Sequence, residues 1–401
     1  MNILFFTIKF RLDPRSPYLT NELCSGFLEL GHTVTVINLD WHEDNKDSVV
    51  SLTEGLQVVS VLPVRFNGLP RIVNRALSWS LTSLRAYSRA RKYLRHERFD
   101  AVIMTTPLTI FTLFLLAARS RIRCQRIALC WDVFPIHDLQ IGALPKLLVP
   151  AIKKWEERLY NSCTKIFVLS EDYRRFLLKH FTIAETVQMA CSGLWGGALQ
   201  SCPDPDPELL PQGGRKVIVF GGQFVAGRGM ENFLMLCRLS AQVDPQIKVL
   251  VLSSGELLRG FLDLARDENI TNLVSMEPLP RAEYAKMIGH CMAGFISLEA
   301  GTGCPSFPSK IVDYARAGLP VLAVDNSNPG FRDFIESRGI GCYIPSGDAK
   351  ALEAALSLLA GDADARRRMS ENSRRVFHEE FDARRVASLI APRSAPEPSG
   401  A

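Results

Sequence analysis

The chain has 401 residues, of which 47% are hydrophobic and 22% charged, with a formal net charge of +5. Such a composition excludes a disordered or fibrous protein, and so small a charge does not imply a nucleic-acid partner. The length exceeds what one core usually fills, so two domains of similar size are expected. Ten cysteines are scattered without a Cys-x-x-Cys pair, which fits reduced, mostly buried thiols in a cytosolic protein.

The opening Met1-Asn2-Ile3-Leu4-Phe5-Phe6 lacks the cationic leader and small-residue cleavage pattern of a secretory signal. It reads as a first strand over Ile3 to Thr7, followed by a loop from Lys9 to Pro17 and a helix from about Tyr18 to Leu30. Gly31-His32 closes that helix, with His32 expected at its surface terminus, and Thr33 to Leu39 forms the next strand. Further strands are expected at Gln57 to Val61, Ala101 to Met104, Ile127 to Cys130 and Lys165 to Leu169. Alternation with helices argues for a parallel sheet covered on both faces, with ligands beyond the carboxyl ends of its strands.

A basic helix carries Arg85, Arg89, Arg91, Lys92 and Arg95 after the apolar Leu77, Trp79, Leu81, Leu84 and Tyr87. Such a helix either rests on an anionic bilayer or holds an anionic acceptor, or it is a solvated helix whose Leu and Tyr side chains pack into the domain. The longest apolar run, Phe111 to Ala118, is about half the length that crosses hydrocarbon. The expected location is cytoplasmic, with peripheral contact at the inner face of the cell membrane.

Residues 1–195 thus form a first αβ domain, and the Pro- and Gly-rich stretch 196–215 reads as a linker. A second αβ series over 216–365 has strands near Val217 to Phe220, Lys248 to Leu252, Leu273 to Met276, Ala293 to Ser297 and Val321 to Ala323. Its helices are expected at Met230 to Gln242, Glu256 to Arg266, Arg281 to His290 and Lys350 to Ala360. Residues 366–390 read as C-terminal helices and 391–401 as a frayed tail. Two Rossmann-like α/β domains joined near the middle imply a central cleft.

Two motifs carry the chemistry. Gly221-Gly222-Gln223 through Arg228-Gly229 follows a strand and precedes a helix, so its glycines admit an anion to the backbone and Arg228 offers a fork of donors. A structural turn with an exposed arginine explains the same residues. In Pro308-Ser309-Lys310 through Asp313, Pro308 suits the first helical turn, Ser309 offers an oxygen to free amides and Lys310 adds a cation; Gly318 permits the left-handed exit. The plain alternative is an αβ unit with a surface lysine. Together, Arg228 and Lys310 suit two phosphates and Asp313 the hydroxyls of a ribose or sugar, which describes a nucleoside diphosphate sugar. In the first domain Asp132 follows a strand end and either orients or deprotonates an acceptor hydroxyl or caps the turn before Pro135, with His137 and Asp138 as neighbouring alternatives.

These residues, with Leu30-Gly31-His32-Thr33-Val34 and Trp131-Asp132-Val133-Phe134-Pro135, resemble the large retaining GT-B glycosyltransferase family of GT4 type, which includes capsule, O-antigen and exopolysaccharide enzymes. The resemblance implies a first domain that binds the acceptor and a second that binds a nucleotide sugar, expected to be UDP-linked. By the same resemblance, Asp132, Arg228 and Lys310 are catalytic, and Gly222, Gln223, Arg228, Pro308, Ser309, Lys310 and Asp313 bind the donor. Asp313 matches the second member of the family's acidic pair, while the first falls at Pro305. The family's usual glycine pair in the first loop is replaced near Ser16-Pro17. No metal or other cofactor is expected beyond the donor itself, since no Asp-x-Asp motif ends a strand and protein cations can take the place of Mg²⁺. The acceptor is expected to be a saccharide or a polyprenyl-diphosphate-linked sugar, and the C-terminal helix to cross back to the first domain. A nucleotide-sugar epimerase or hydrolase of the same fold, or a non-catalytic nucleotide-binding partner protein, remains open.

Overall fold

The computed structural model describes residues 1–14, 17–41, 46–95, 97–140, 142–198, 210, 216–225, 228–298, 305, 307–325 and 328–392. The chain forms two compact units, one of residues 1–197 with the segment from Ala383 onward, the other of residues 198–382. Most of the expected linker, the residues Ser16, Ala226 and Gly227, and the tail beyond residue 392 lie outside the described residues.

The first unit is built on an eight-stranded sheet. Its strands are β1 (Asn2–Thr7), β2 (Thr33–Leu39), β3 (Ser48–Thr53), β4 (Leu56–Val61), β5 (Ala101–Thr105), β6 (Gln125–Cys130), β7 (Lys165–Val168) and β8 (Gln188–Cys191). Their order is β3-β4-β2-β1-β5-β6-β7-β8, parallel except for β3 against β4. The inner strands are continuous apolar runs because helices cover both faces; Ile3 to Phe6 and Val102 to Ile103 are fully buried. Strands β3 and β8 were not expected. The first is a half-exposed antiparallel edge and the second has only four residues, so neither shows a buried run.

The second unit carries β9 (Val217–Gln223), β10 (Lys248–Ser254), β11 (Leu273–Met276), β12 (Ala293–Ser297), β13 (Val321–Val324) and β14 (Gly341–Ile344). All are parallel, in the order β11-β10-β9-β12-β13-β14. Strand direction of progress reverses between β9 and β12, the position where open α/β sheets collect ligands beyond their carboxyl ends. A tight aromatic cluster of Phe220, Phe224, Phe233, Phe261 and Phe295 fills one face of this sheet.

The end of the chain divides between the units. Helix Ala363–Val376 stays with the second, where Ser373 Oγ donates to the Leu319 carbonyl at 2.9 Å. Helix Ala383–Ile390 lies against helix Leu19–Glu29 of the first. Gly26 allows that approach, since a Cβ there would meet the Ala383 carbonyl oxygen at 2.5 Å. His32 is not a surface terminus but 4% exposed, with Nε2 2.9 Å from the Ala391 carbonyl oxygen and Nδ1 3.0 Å from the amino terminus. It fastens the last helix to the first unit. No helix among the described residues is long and apolar enough to cross a membrane.

Candidate active site

At the carboxyl end of β9 the backbone turns through Gly221, Gly222 and Gln223. Gly222 has φ +132°, and a Cβ there would lie 3.0 Å from both Cε and Nζ of Lys310. The glycine therefore lets the lysine head lie against bare backbone. Ser253 Oγ on β10 donates to the Gly222 carbonyl at 2.5 Å and holds the turn. Gln223 ends the strand with its side chain exposed.

Lys310 opens helix Lys310–Ala317, and Gly318 at φ +68° ends it, with the Leu319 N–H returning to the Tyr314 carbonyl at 2.8 Å. Pro308 is buried just before the helix. Ser309 is exposed and makes no side-chain cap, contrary to expectation: its backbone is already helical, so its hydroxyl cannot turn back to the amides. The N–H groups of Ile311 and Val312 bond the carbonyls of Pro308 and Ser309, and among the described residues those of Ser309 and Lys310 have no partner, as is usual at a helix start.

The Lys310 ammonium lies 4.7 Å from the centroid of the Phe220 ring. Burial, then the charge of Arg228, lower its pKa to about 7, and Asp313 opposes them. Burial likewise lowers Arg228, whose Nε is buried without a hydrogen-bond partner. Neither cation has an ion-pair partner among the described residues. Two neighbouring cations with no counter-ion favour an anion from outside.

Asp313 Oδ1 accepts from Arg281 Nη2 at 3.3 Å and from Arg316 Nη2 at 2.5 Å, while among the described residues no bond reaches Oδ2. The free oxygen remains an acceptor for hydroxyl groups. Sequence reasoning missed the two arginines, and it missed the tyrosines beneath the helix. Tyr314, fully buried, donates toward the carbonyls of Phe295 at 3.0 Å and Val219 at 3.2 Å, tying the helix to β9 and β12. Gly294 and Gly221 make room for the rings of Tyr314 and Tyr284; a Cβ at either would press into the aromatic carbons at 2.5 Å. The glycines at strand positions were the available signal. Helix Met230–Val243 begins at Gly229, φ +66°, where a Cβ would crowd Asn232 Nδ2 at 2.7 Å.

In the first unit, Asp132 follows β6. Its backbone N–H and that of Trp131 donate to Thr106 Oγ1 at 3.2 and 3.1 Å. Its carboxylate accepts no hydrogen bond from the described protein, so the turn-capping explanation has no bond to support it. The residue is accessible but crowded enough that desolvation raises its pKa, with His137 opposing and Asp138 adding to the rise. Asp138 itself is paired with Arg75. In the opening loop, Lys9 lies 4.5 Å from the Tyr18 ring centroid, and the Asn21 side chain brackets the Arg11 backbone. Glu171 pairs with Arg174 at 2.9 Å in a helix capped by Ser170. Among the described residues no three His, Cys, Asp or Glu side chains group as metal ligands.

Residues 18–192 match the family Glycosyltransferase Family 4 and residues 205–376 match Glycosyl transferases group 1. The chain is a glycosyltransferase of GT-B fold related to these families, a class that moves a sugar from a nucleotide-sugar donor to an acceptor. Among individual relatives, the probable glycosyltransferase WbjE of Pseudomonas aeruginosa is 23% identical over 279 residues, covering 68% of this chain and 67% of that protein. Sucrose-phosphate synthase of Thermosynechococcus elongatus superposes with a TM-score of 0.72 at 13% identity, covering 97% of each chain. Anabaena HepE, solved with UDP and glucose, gives 0.66 at 13% identity over 98% of each chain. WaaG, a glycosyltransferase involved in lipopolysaccharide biosynthesis, gives 0.60 at 15% identity, over 98% of this chain and all of that one. At such identities the structures speak for the fold alone.

Proposed function

We propose that the protein transfers a hexose, with retention of configuration, from a UDP-linked sugar to a hydroxyl of a lipid-linked or saccharide acceptor in polysaccharide or lipopolysaccharide biosynthesis. It works at the cytoplasmic face of the membrane. The observation that carries this reading is the pair Arg228 and Lys310, two crowded cations at the carboxyl edge of the second sheet with no ion-pair partner among the described residues. The UDP in the HepE complex and the part of WaaG in lipopolysaccharide biosynthesis support the choice of donor and pathway.

In this reading the diphosphate lies against Gly222 and Gln223, between Arg228 and Lys310, with the N–H groups of Ser309 and Lys310 on its oxygens. The free Oδ2 of Asp313 accepts from the ribose. The bond from the anomeric carbon to the diphosphate oxygen breaks and its electron pair goes to that oxygen, where the two cations stabilise the growing charge. The acceptor oxygen bonds to the anomeric carbon from the same face, and its proton passes to Asp132. A thermal-shift screen of nucleotide sugars tests the donor: a selective rise with one UDP-sugar is expected, and no response to any nucleotide sugar contradicts the reading. Sugar release without an acceptor would mark a hydrolase or epimerase instead.

A further inference from the structure

Helix Arg71–Leu94 is inverted relative to an ordinary surface helix. The side turned into the unit carries Ser78, Thr82, Ser83, Ala86 and Ala90, all buried. Four large apolar side chains point outward, Val73 at 43% exposed and Leu77, Leu81 and Leu84 at 40% each, whereas Leu94 is buried and Trp79 and Tyr87 pack against Phe134 and Phe114. The alternative in which the helix's Leu and Tyr side chains pack into the domain holds for Tyr87, against Phe114, and not for these three leucines. Leu147 at 89% and Trp155 at 38% add to the exposed apolar surface from the neighbouring segment and helix Val149–Asn161. Single exposed leucines are ordinary, whereas a run on one helix face is a docking surface.

A cavity of about 400 Å³ lies against another side of this helix, one that Val73, Leu77, Leu81 and Leu84 do not line. Ala76, Trp79, Ile110, Phe134, Ile152 and Trp155 supply much of its wall. The volume is that of a small-molecule pocket, ~300–1,000 Å³. At its rim Arg75 lies over the rings of Trp79 and Phe134, 4.5 and 5.7 Å from their centroids, and pairs with Asp138. Phe134 is two residues from Asp132, so the cavity and the acceptor carboxylate belong to one short segment. Charge identifies the surroundings: the helix has no acidic residue, and Arg71, Arg91, Lys92 and Arg95 have no ion pair among the described residues. Arg85 and Arg89, by contrast, are paired with Asp47. Apolar side chains flanked by unpaired cations complement an anionic bilayer.

We propose that this cavity receives the hydrocarbon chain of the lipid-linked acceptor, drawn from an anionic membrane on which the outward leucines rest. The assignment rests on the acceptor reading above and selects its lipid-linked form. A chain seated here leaves its polar head beside residues 132–138.

The experiment titrates the full chain with farnesyl diphosphate and follows tryptophan fluorescence, which Trp79 and Trp155 report from the wall. Saturable binding is expected, weakened at least about tenfold by Ala76→Phe with Ala151→Phe, which fill the mouth. Lys310→Ala should leave it unchanged, and inorganic pyrophosphate should give no such signal. Circular dichroism checks that the filled variant is folded. No saturable binding by the unaltered chain, equal binding by the filled variant, loss in Lys310→Ala, or the same signal from pyrophosphate overturns the proposal. A separate titration with UDP keeps the two readings apart: prenyl binding without UDP binding sinks the donor assignment alone, and the reverse sinks the cavity alone. In a second arm, phosphatidylglycerol vesicles should sediment the unaltered chain but not Leu77→Ser with Leu81→Ser. No sedimentation of the unaltered chain, or a dimer in light scattering that these changes dissolve, contradicts the membrane face.

Discussion

Lys310 combines the demands of folding and function in one side chain. With its pKa lowered to about 7, against about 10.5 when unfolded, the unfolded chain binds more protons between those values. The strain on the folded state is therefore greatest below pH 7 and fades as pH rises toward 10.5, so this residue makes stability rise with pH across that window. Lys310→Met should raise the unfolding free energy at neutral pH, by about 1–3 kcal/mol, and flatten this pH dependence in denaturant titrations. The same change should lower transfer about 10²–10³-fold, since it removes a donor that stabilises the leaving diphosphate. Unchanged turnover would remove Lys310 from the site. Gly221→Ala makes a different prediction: its Cβ strikes the Tyr284 ring, so soluble yield and melting temperature should fall even where donor affinity in the folded fraction persists.

At the scale of elements, Glu156 shows how a buried charge fixes a turn. From helix Val149–Asn161 its carboxylate accepts from the N–H of Leu108 at 2.7 Å, the N–H of Thr109 at 2.8 Å and Thr109 Oγ1 at 2.5 Å, capping the short helical turn Leu108–Phe111. Burial raises its pKa to about 7 despite those bonds. The folded state then binds more protons than the unfolded one between about 4.5 and 7, so its contribution to stability declines as pH rises through that range. Glu156→Ala should destabilise the first unit by about 2–4 kcal/mol by stranding two amides and opening a void. Elements of this kind were only partly legible. Inner strands such as Thr33–Leu39 and Ala293–Ser297 could be read directly because a strand buried on both faces is a bounded apolar run. Edge strand Gly341–Ile344 could not, since four residues without alternation carry no period. Helix Arg71–Leu94 was legible as basic and amphipathic, but which side faced inward depends on neighbours far along the chain.

For the molecule as a whole, the two family matches and the two sheets, one parallel and one parallel but for its β3 edge, agree on the GT-B class. The proposed donor residues could be picked out because glycines, a proline and cations cluster in two short motifs. Arg281 on Asp313 and Tyr314 on Phe295 were not, because those contacts join segments that only the fold brings together. If Asp132 acts as the base and Lys310 as the cation of the proposed reaction, kcat/KM should be bell-shaped in pH. Its acid limb, set by Asp132, should lie above the usual carboxylate range, and its alkaline limb, set by Lys310, near 7. Asp132→Asn should abolish the acid limb, and Lys310→Arg should carry the alkaline limb upward.

The most direct measurement is calorimetric titration of UDP into the unaltered chain and into Arg228→Ala with Lys310→Ala, in two buffers of different ionisation enthalpy at pH 8. The account predicts binding with net proton uptake, because the diphosphate restores the proton on Lys310, and a loss of affinity of about 100-fold or more in the double variant. Equal affinity in both proteins, with no proton taken up, would contradict it.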